Sequence, residues 1–260
     1  MNILEVIAEH SRERVRIAKE NLSLNVIRDL ALSSEKGNFA FESALKRKGL
    51  SFICECKKAS PSKGIIADDF PYVKIAREYE SAGADAISVL TEPKYFLGRN
   101  EYLREISDAV NVPVLRKDFV VDEYMIYEAK TLGASAVLLI CAILEGSKLR
   151  EYINICDTLG ISALVEAHDE SEIHTALDSG ARIIGVNNRN LKDFTVDTSN
   201  SKRLRKIIPR HVIFVSESGI KTPEDVKAAQ DFGANAILVG ETLMRADDKR
   251  VMLARLKSLL

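Results

Sequence analysis

The chain has 260 residues, and its 37 Lys and Arg balance 38 Asp and Glu, so its overall charge favours neither nucleic acid nor an anionic membrane as a partner. No apolar run approaches the ~20 residues that a bilayer span requires, and residues 1–10 lack the basic-then-apolar pattern of a signal peptide. The four cysteines are scattered through apolar segments and are not spaced as a disulfide framework, which indicates a protein of the reducing cytoplasm.

Residues 1–50 alternate apolar and charged side chains at helical spacing, with Val6, Ile7 and Val15 set among Arg and Glu. This pattern predicts an N-terminal helical extension that packs on the rest of the chain and is not a separate domain. No low-complexity linker divides the sequence, so residues 1–260 are expected to form a single domain.

A short strand is predicted at residues 52–57, followed by a loop rich in Ser, Pro and Gly. Alternate side chains of a strand point to the same side, so Ile53, Glu55 and Lys57 share one face, and the other face is apolar. A charge inside a packed interior is unfavourable unless it is paired or used in function. Glu55 and Lys57 therefore indicate a functional site.

A repeated unit follows, in which a helical stretch ends at Gly and one or two small residues lead into a short apolar run. Each Gly stands where a helix C-cap favours positive φ, and each continuous apolar run is typical of a parallel strand buried on both faces. The copies occupy residues 81–90, 131–140, 158–165, 178–186 and 231–239.

Eight strands result when residues 52–57, 112–117 and 212–216 are added, with about 20 to 35 residues from one strand to the next, which is the length of a βα unit. An α/β fold is therefore predicted, a closed (β/α)8 TIM barrel with an N-terminal helical extension. A doubly wound open sheet is the alternative, but eight evenly spaced units favour closure.

Polar side chains gather at the carboxyl ends of these strands, where barrels of this kind carry their active sites. Crowded or desolvated lysines lose pKa and act as general acids, and carboxylates in the same space gain pKa and act as bases. No Cys/His cluster has metal-ligand spacing, which indicates acid–base chemistry without a metal. A salt bridge that caps the barrel is the alternative for any single charge, but the whole set at one end favours a site. The candidates are Glu55, Lys57, Ser60, Lys117, Glu166, Asn187, Arg189, Glu217, Ser218, Gly219, Gly240 and Glu241.

A phosphate site is predicted from two of these positions. Gly219 and Gly240 follow the seventh and eighth strands, where barrels commonly bind phosphate through backbone N–H groups. One such Gly is ordinarily only a turn, whereas the pair favours a binding site. Residues 60–64 are expected either to add hydroxyl groups, including that of Ser60, and the charge of Lys63 to this site or to cover the mouth.

Aromatic and histidine side chains carry weaker signals. Phe96, next to Tyr95 after the second strand, is expected to contact a substrate ring, with a loop anchored by two aromatics as the alternative. His168 follows Glu166 by two residues but precedes a helix start, which favours a loop residue, and His10 is interpreted as peripheral.

Seven segments resemble the indole-3-glycerol-phosphate synthase family of tryptophan biosynthesis, and they spread over nearly the whole chain. The segments are residues 55–64, 88–92, 115–119, 165–169, 185–191, 215–220 and 238–241. The first, third, sixth and seventh of these segments are highly specific in combination. The N-terminal helical extension is similar to that of the family as well.

The resemblance implies an enzyme that converts 1-(2-carboxyphenylamino)-1-deoxyribulose 5-phosphate into indole-3-glycerol phosphate. Ring closure comes first, and carbon dioxide and then water are released, without a cofactor or a metal. Lys117 resembles the general acid of ring closure. Glu166 and Lys57 resemble the acid–base pair of the later steps, with their separate roles left open, and Glu55 is similar to a carboxylate that orients Lys57.

The remaining candidates resemble groups that hold the substrate. Asn187 and Arg189 resemble groups that position the substrate and stabilise developing charge, and Glu217 and Ser218 resemble further substrate contacts. Asn187 and Ser218 are counted among the catalytic residues. Those expected in the phosphate-binding loops are Ser60, Gly219, Gly240 and Glu241. Glu241 would offer its backbone N–H, because its carboxylate would repel a phosphate.

Two other functions fit parts of this pattern. A sugar-phosphate isomerase would share the phosphate loops but not the set formed by Glu55, Lys57, Lys117 and Glu166. A catalytically inactive barrel would only bind a phosphorylated ligand or partner, and loss of Lys117 or Glu166 would favour it, but both are present. No exposed apolar helix face stands out, so a monomer that acts on a small phosphorylated molecule is expected.

Overall fold

The structure is a computed structural model that describes residues 3–190 and 193–260, so Leu191, at the end of the segment 185–191, lies outside the described residues. The helices are α1 (Ile3–Asn21), α2 (Leu24–Ser33), α3 (Ala40–Leu45), α4 (Tyr72–Ser81), α5 (Asn100–Ala109), α6 (Glu123–Thr131), α7 (Gly146–Leu159), α8 (Glu170–Asp178), α9 (Ser199–Leu204), α10 (Pro223–Asp231), α11 (Glu241–Met244) and α12 (Lys249–Leu256). The strands are β1 (Ser51–Cys56), β2 (Ala59–Ser60), β3 (Gly64–Ile65), β4 (Ala86–Leu90), β5 (Val114–Lys117), β6 (Ala136–Ile140), β7 (Ser162–Ala167), β8 (Ile183–Asn187), β9 (Ile213–Glu217) and β10 (Ala236–Val239).

Eight parallel strands close into a barrel in the order β1-β10-β9-β8-β7-β6-β5-β4. Closure occurs at β1, which pairs with β10 through Ser51 and Ala236 and with β4 through Ile53 and Ala86. The predicted (β/α)8 barrel is thus confirmed, and the open sheet is excluded. The Ser- and Gly-rich segment after β1 is not a simple loop, because β2 and β3 pair there as a short antiparallel hairpin.

The two faces of β1 separate two apolar clusters, as its alternation predicts. Ile53 packs inside the barrel with Leu115 and Leu164. Phe52 and Cys54 point the other way and pack in the layer between the barrel and the helices. Because Glu55 continues the inward face of β1, its carboxylate lies at the carboxyl end of the barrel interior, directly above this apolar layer.

The N-terminal extension is helical, as predicted, and it contacts both ends of the barrel. Leu4 and Ile7 of α1 belong to the apolar cluster that fills the barrel interior, and so do Phe41 and Leu45 of α3. The start of α3 is fixed at the amino end of β7, where the backbone N–H of residue 42 donates to the hydroxyl of Ser162. Among the helices in the described residues, none has the length and apolar character needed to cross a bilayer.

Candidate active site

A cavity of about 690 Å³ opens at the carboxyl ends of the strands. Its floor is apolar and includes Leu138, Ile140 and Leu238, and Leu4 and Ile7 of α1 border it from above the barrel. All of the candidate residues line this mouth: Glu55, Lys57, Ser60, Phe96, Lys117, Glu166, Asn187, Arg189, Glu217, Ser218, Gly219, Gly240 and Glu241. The fold therefore brings together groups that come from seven of the eight barrel strands and the loops that follow them.

Lys117 ends β5 and lies between two buried carboxylates. Its Nζ is 3.2 Å from Oε2 of Glu166 on β7 and 3.5 Å from Oε2 of Glu217 on β9. The side chains of Glu166 and Glu217 are only 3% and 2% exposed, so water contributes little to their solvation. The ammonium group is their main compensating charge.

The pKa of Lys117 corrects one sequence-based expectation. Burial alone would lower this pKa, as expected for a desolvated lysine, but the charges of Glu166, Glu217 and Glu55 outweigh burial and raise it above the usual value. Lys117 is therefore a firmly held cation at neutral pH. The number of nearby carboxylates decides whether the pKa of Lys117 rises or falls, and their distances from Lys117 cannot be read from the sequence.

The two carboxylates beside Lys117 differ in pKa although both are buried. Burial works to raise the pKa of Glu166, but Lys117, His168 and a hydrogen bond from Asn187 lower it below the usual value. Burial raises the pKa of Glu217 to about 7, against the attraction of Lys117, and the charges of Glu166 and Glu55 add to this increase. Of the two, Glu166 is the ionised group and Glu217 the one that titrates near neutrality.

The raised pKa of Glu217 makes the stability of the fold depend on pH. The carboxyl ionises near its ordinary value of 4.5 in the unfolded chain and near 7 in the fold. The stabilisation that comes from this raised pKa is therefore fully present below the pKa of the unfolded chain, 4.5, and is lost as the pH rises through about 7. Glu217→Gln cannot ionise, so we expect its melting temperature relative to the wild type to be higher at about pH 8.5 than at about pH 5.

Thermal unfolding at the two pH values measures this difference. Glu151→Gln is the matched control, because Glu151 pairs with Lys148 on the surface and is 45% exposed. It should show no such pH-dependent gain. The same pH-dependent change in melting temperature for both variants, or no such change for Glu217→Gln, would contradict the raised pKa of Glu217.

Glu55 and Lys57 form a second charge pair at the carboxyl end of β1, which lies across the barrel from β7 and Glu166. Both side chains rise from the inward face of β1, and Nζ of Lys57 donates to Oε2 of Glu55. Gly240, which follows β10, leaves room for them, because a Cβ atom there would run into the Glu55 carboxylate and approach Nζ of Lys57 to 3.0 Å. The side chains of the neighbouring strand are therefore sufficient to explain glycine at this position.

Gly240→Ala should displace the Glu55–Lys57 pair and lower kcat, since a small misplacement of reacting groups is worth about 100-fold in rate. Steady-state kinetics and circular dichroism measure the effect on activity and on the fold. Gly146→Ala is the matched control, because its added Cβ would meet only ordinary contacts at 3.5 Å or more. Equal activity of the two variants would show that the pair tolerates displacement.

Asn187, Ser218 and Arg189 form a network that orients one amide. The Oδ1 of Asn187 accepts from the hydroxyl of Ser218 at 2.9 Å and from the backbone N–H of Arg189 at 3.0 Å. The NH₂ group of Asn187 is then left to donate to Glu166. Ser218 holds this position with a φ of 67°, a left-handed conformation that is uncommon for serine.

Three basic side chains lie on the rim, of which sequence reasoning considered Lys63 and missed Lys221 and Arg245. Lys63, Lys221 and Arg245 line the mouth next to Gly219 and Gly240. Two of them hold the side chain of Glu241, with distances of 3.1 Å from Nε of Arg245 and 3.6 Å from Nζ of Lys63. For Arg245, the available signal was the i,i+4 spacing of residues 241 and 245 on one helix.

His10 differs from the expectation, because it helps to hold the loop that carries Phe96. The carboxylate of Glu92 is fully buried and accepts the backbone N–H groups of residues 94–96, and Nδ1 of His10 lies 3.0 Å from it. His10 is thus part of the loop anchor and not peripheral. Phe96 lines the mouth and packs against Phe119 at a centroid distance of 5.9 Å, whereas Tyr95 faces His10 edge-on.

His168 lies in the loop between β7 and α8, as predicted, but its side chain also reaches Glu166. Its Nε2 lies 3.5 Å from Oε1 of Glu166, and its Nδ1 lies 3.1 Å from Oε2 of Glu172. The two-residue spacing from Glu166 was the signal that could have placed it, because alternate residues leave a strand end on the same side.

Comparison with known proteins agrees with this geometry. A family model described as indole-3-glycerol phosphate synthase matches residues 4–256. A protein of that name from Ruminiclostridium cellulolyticum is 54% identical, with 98% of each chain covered, and one from Lachnoclostridium phytofermentans is 50% identical, with 99% of this chain and 100% of that relative covered. Among solved structures, 3-hexulose-6-phosphate synthase superposes with a TM-score of 0.64 at 14% identity, over 81% of this chain and 100% of that one. This last likeness shows the barrel fold alone.

Proposed function

Because the chain belongs to the indole-3-glycerol phosphate synthase family, we propose how the mouth of its barrel divides the work of that reaction. The enzyme is a decarboxylating carbon–carbon lyase of L-tryptophan biosynthesis. Its substrate is 1-(2-carboxyphenylamino)-1-deoxyribulose 5-phosphate, and the product is indole-3-glycerol phosphate. The observation that carries the division of roles is the position of Lys117 between Glu166 and Glu217, with Glu55 and Lys57 across the cavity.

Ring closure uses Lys117 as the proton donor. The ring carbon that bears the carboxylate attacks the ketone carbon, and the carbonyl oxygen takes a proton from Nζ of Lys117 to become a hydroxyl group. The raised pKa of Lys117 guarantees that the proton is present before the step, and the developing alkoxide is basic enough to take it. Carbon dioxide then leaves and restores the aromatic ring, which requires little from the protein.

Dehydration needs a base and an acid on opposite sides of the leaving hydroxyl. Glu166 supplies the base, because its lowered pKa keeps it ionised, and it accepts the proton released as the new double bond forms. Lys57 supplies the acid on the far side and is oriented by Glu55. Water leaves with the proton of Lys57. The proton held by Glu166 is then returned to Lys57, and Lys117 regains its proton from solvent, which supplies the one proton that conversion of the carboxylate into carbon dioxide and water consumes.

The remaining groups bind and orient the substrate. Arg189, Asn187, Glu217 and Ser218 contact its polar groups, and Phe96 contacts its ring. The phosphate lies at Ser60, Gly219, Gly240 and the backbone N–H of Glu241. Lys63, Lys221 and Arg245 support this placement, since they surround the same loops with positive charge.

A monomer in the cytoplasm is the form in which we propose that the chain acts. The four cysteines are all unpaired thiols, which suits a reducing compartment. Size-exclusion chromatography with light scattering tests the oligomeric state, and a mass near twice the 28.9 kDa of the chain would contradict the monomer.

The reaction is tested with substrate labelled in its carboxyl group. We expect labelled carbon dioxide and the indole product in a one-to-one ratio. A sugar-phosphate isomerase would rearrange the substrate and retain the label. An inactive barrel would bind the substrate in calorimetry and release no carbon dioxide. Either outcome would overturn the proposed function.

A further inference from the structure

His168 connects the buried carboxylate of Glu166 with a second carboxylate outside the mouth. Oε2 of Glu172 on α8 accepts the backbone N–H of His168 at 2.7 Å and lies 3.1 Å from its Nδ1. The other ring nitrogen, Nε2, is 3.5 Å from Oε1 of Glu166. Since Lys117 contacts Oε2 of Glu166 at 3.2 Å, the two carboxylate oxygens are divided between two basic side chains.

The arrangement of acceptors determines where the imidazole carries protons. An ionised carboxylate only accepts hydrogen bonds, so Nδ1 next to Glu172 must carry a hydrogen. In a neutral ring, Nε2 would then direct its lone pair at the lone pairs of Glu166 Oε1. Within the part of the chain that the structure describes, buried Nε2 has no hydrogen-bond partner that would relieve this repulsion. A proton on Nε2 turns the repulsion into an ion pair with Glu166.

We propose that His168 is a positioning residue for Glu166, an imidazolium fixed by Glu172 that orients the Glu166 carboxylate and keeps it ionised as the base of dehydration. The inference rests on the proposed function, because it assigns a role to a residue that acts only through Glu166. His168 and Glu172 together line a second cavity of about 620 Å³, which adjoins the mouth of the barrel at Asn187 and Arg189.

The charges around His168 favour its protonated form. The carboxylates that face it or share its cavity are Glu166, Glu172, Asp169, Glu217 and Asp197. The arginines in the same cavity are Arg189 and Arg203. The thiol of Cys141, on the turn after β6 that packs against α8, stays neutral because burial raises its pKa to about 12. Negative charge therefore predominates around the ring.

The pKa directions agree with this geometry. Burial alone would lower the pKa of His168, but the hydrogen bond to Glu172 and the charges of Glu166 and Glu217 raise it above the usual value. The effect is reciprocal, since His168 is among the groups that lower the pKa of Glu166. The imidazolium is present below the raised pKa of His168 and is lost as the pH rises through it, and Glu166 then loses one of its two counter-charges.

The pH profile of kcat/KM for His168→Gln tests the inference. Without the imidazolium, the acid limb that reports ionisation of Glu166 should move to higher pH by about one unit, the lower end of the effect of one nearby opposite charge. Glu172→Gln should give a smaller shift in the same direction. His174→Gln is the matched control, because His174 also faces a glutamate on α8 but is 60% exposed, and its profile should equal that of the wild type. A His168→Gln profile that superposes on the wild type would overturn the inference.

Titration of the imidazole nitrogens by ¹⁵N NMR gives a readout that does not depend on activity or on folding of the His168 variant. The chain has only four histidines, which keeps the assignment simple. We expect His168 of the free wild-type enzyme to be protonated on both nitrogens at neutral pH, and Glu166→Gln to lower its pKa. A neutral His168 ring, or one that does not respond to Glu166→Gln, would contradict the inference. Absence of wild-type turnover would instead refute the proposed function and leave this titration to decide on His168.

Discussion

Lys117→Met should abolish ring closure, with a loss of about 1,000-fold in kcat, within the range that a general acid contributes. Methionine has nearly the length of lysine but neither its proton nor its charge. The variant also leaves Glu166 and Glu217 buried without the ammonium group that lies 3.2 and 3.5 Å from them. We therefore expect one of these two carboxylates to hold a proton at neutral pH in the variant.

Single-turnover kinetics and calorimetry separate the two effects of this change. Substrate binding should remain, because the phosphate and ring contacts lie on other strands, while the chemical step is lost. Lys117→Arg is the control that keeps the charge but moves the donors, and it should keep Glu166 ionised without restoring the rate. Turnover by Lys117→Met near the wild-type rate would remove Lys117 from the role of general acid.

Glu166→Gln should leave the fold intact and lower turnover by about 100-fold or more, as expected for loss of a general base. Glutamine has nearly the shape of glutamate, so the contact with Lys117 and the packing at the end of β7 survive. Removal of the negative charge should also lower the pKa of Glu217, because Glu166 is one of the groups that raise it. Steady-state kinetics and the pH dependence of the melting temperature measure both effects.

Glu42→Gln is a matched control at the opposite end of the barrel. Glu42 is also buried and pairs with Lys46 at 2.7 Å and with Arg182 at 2.8 Å, far from the mouth. This variant should lose stability and keep kcat/KM. If Glu166→Gln instead unfolds and Glu42→Gln behaves in the same way, the charges at the mouth are structural salt bridges and not catalytic groups.

The sequence was sufficient for the fold because the barrel repeats its own signals. The Gly and small-residue step before five of the apolar runs marks the change from helix to strand, and β4, β6, β7, β8 and β10 all begin within a few residues of that step. Placement of the site followed from the same regularity. Parallel strands of one barrel end at one rim, so Lys117, Glu166 and Glu217 had to converge although about 50 residues separate each from the next.

Properties that depend on distance across the barrel did not follow from the sequence. The pKa of Lys117 is raised rather than lowered because burial is outweighed by three carboxylates, and their combined effect requires their separations. The contact between His10 and Glu92 joins residues 82 positions apart through the N-terminal helix. His168 reaches Glu166 because β7 extends through residue 167, two residues beyond the predicted apolar run.

The central claim is that Lys117 at the barrel mouth drives formation of the indole ring, and indole fluorescence during incubation with 1-(2-carboxyphenylamino)-1-deoxyribulose 5-phosphate tests it most directly. The wild-type chain and Lys117→Met are compared at saturating substrate with a chelator present. We expect a saturable rise in fluorescence for the wild type and none for the variant. Equal rises for both proteins, or no rise for the wild type, would contradict the claim.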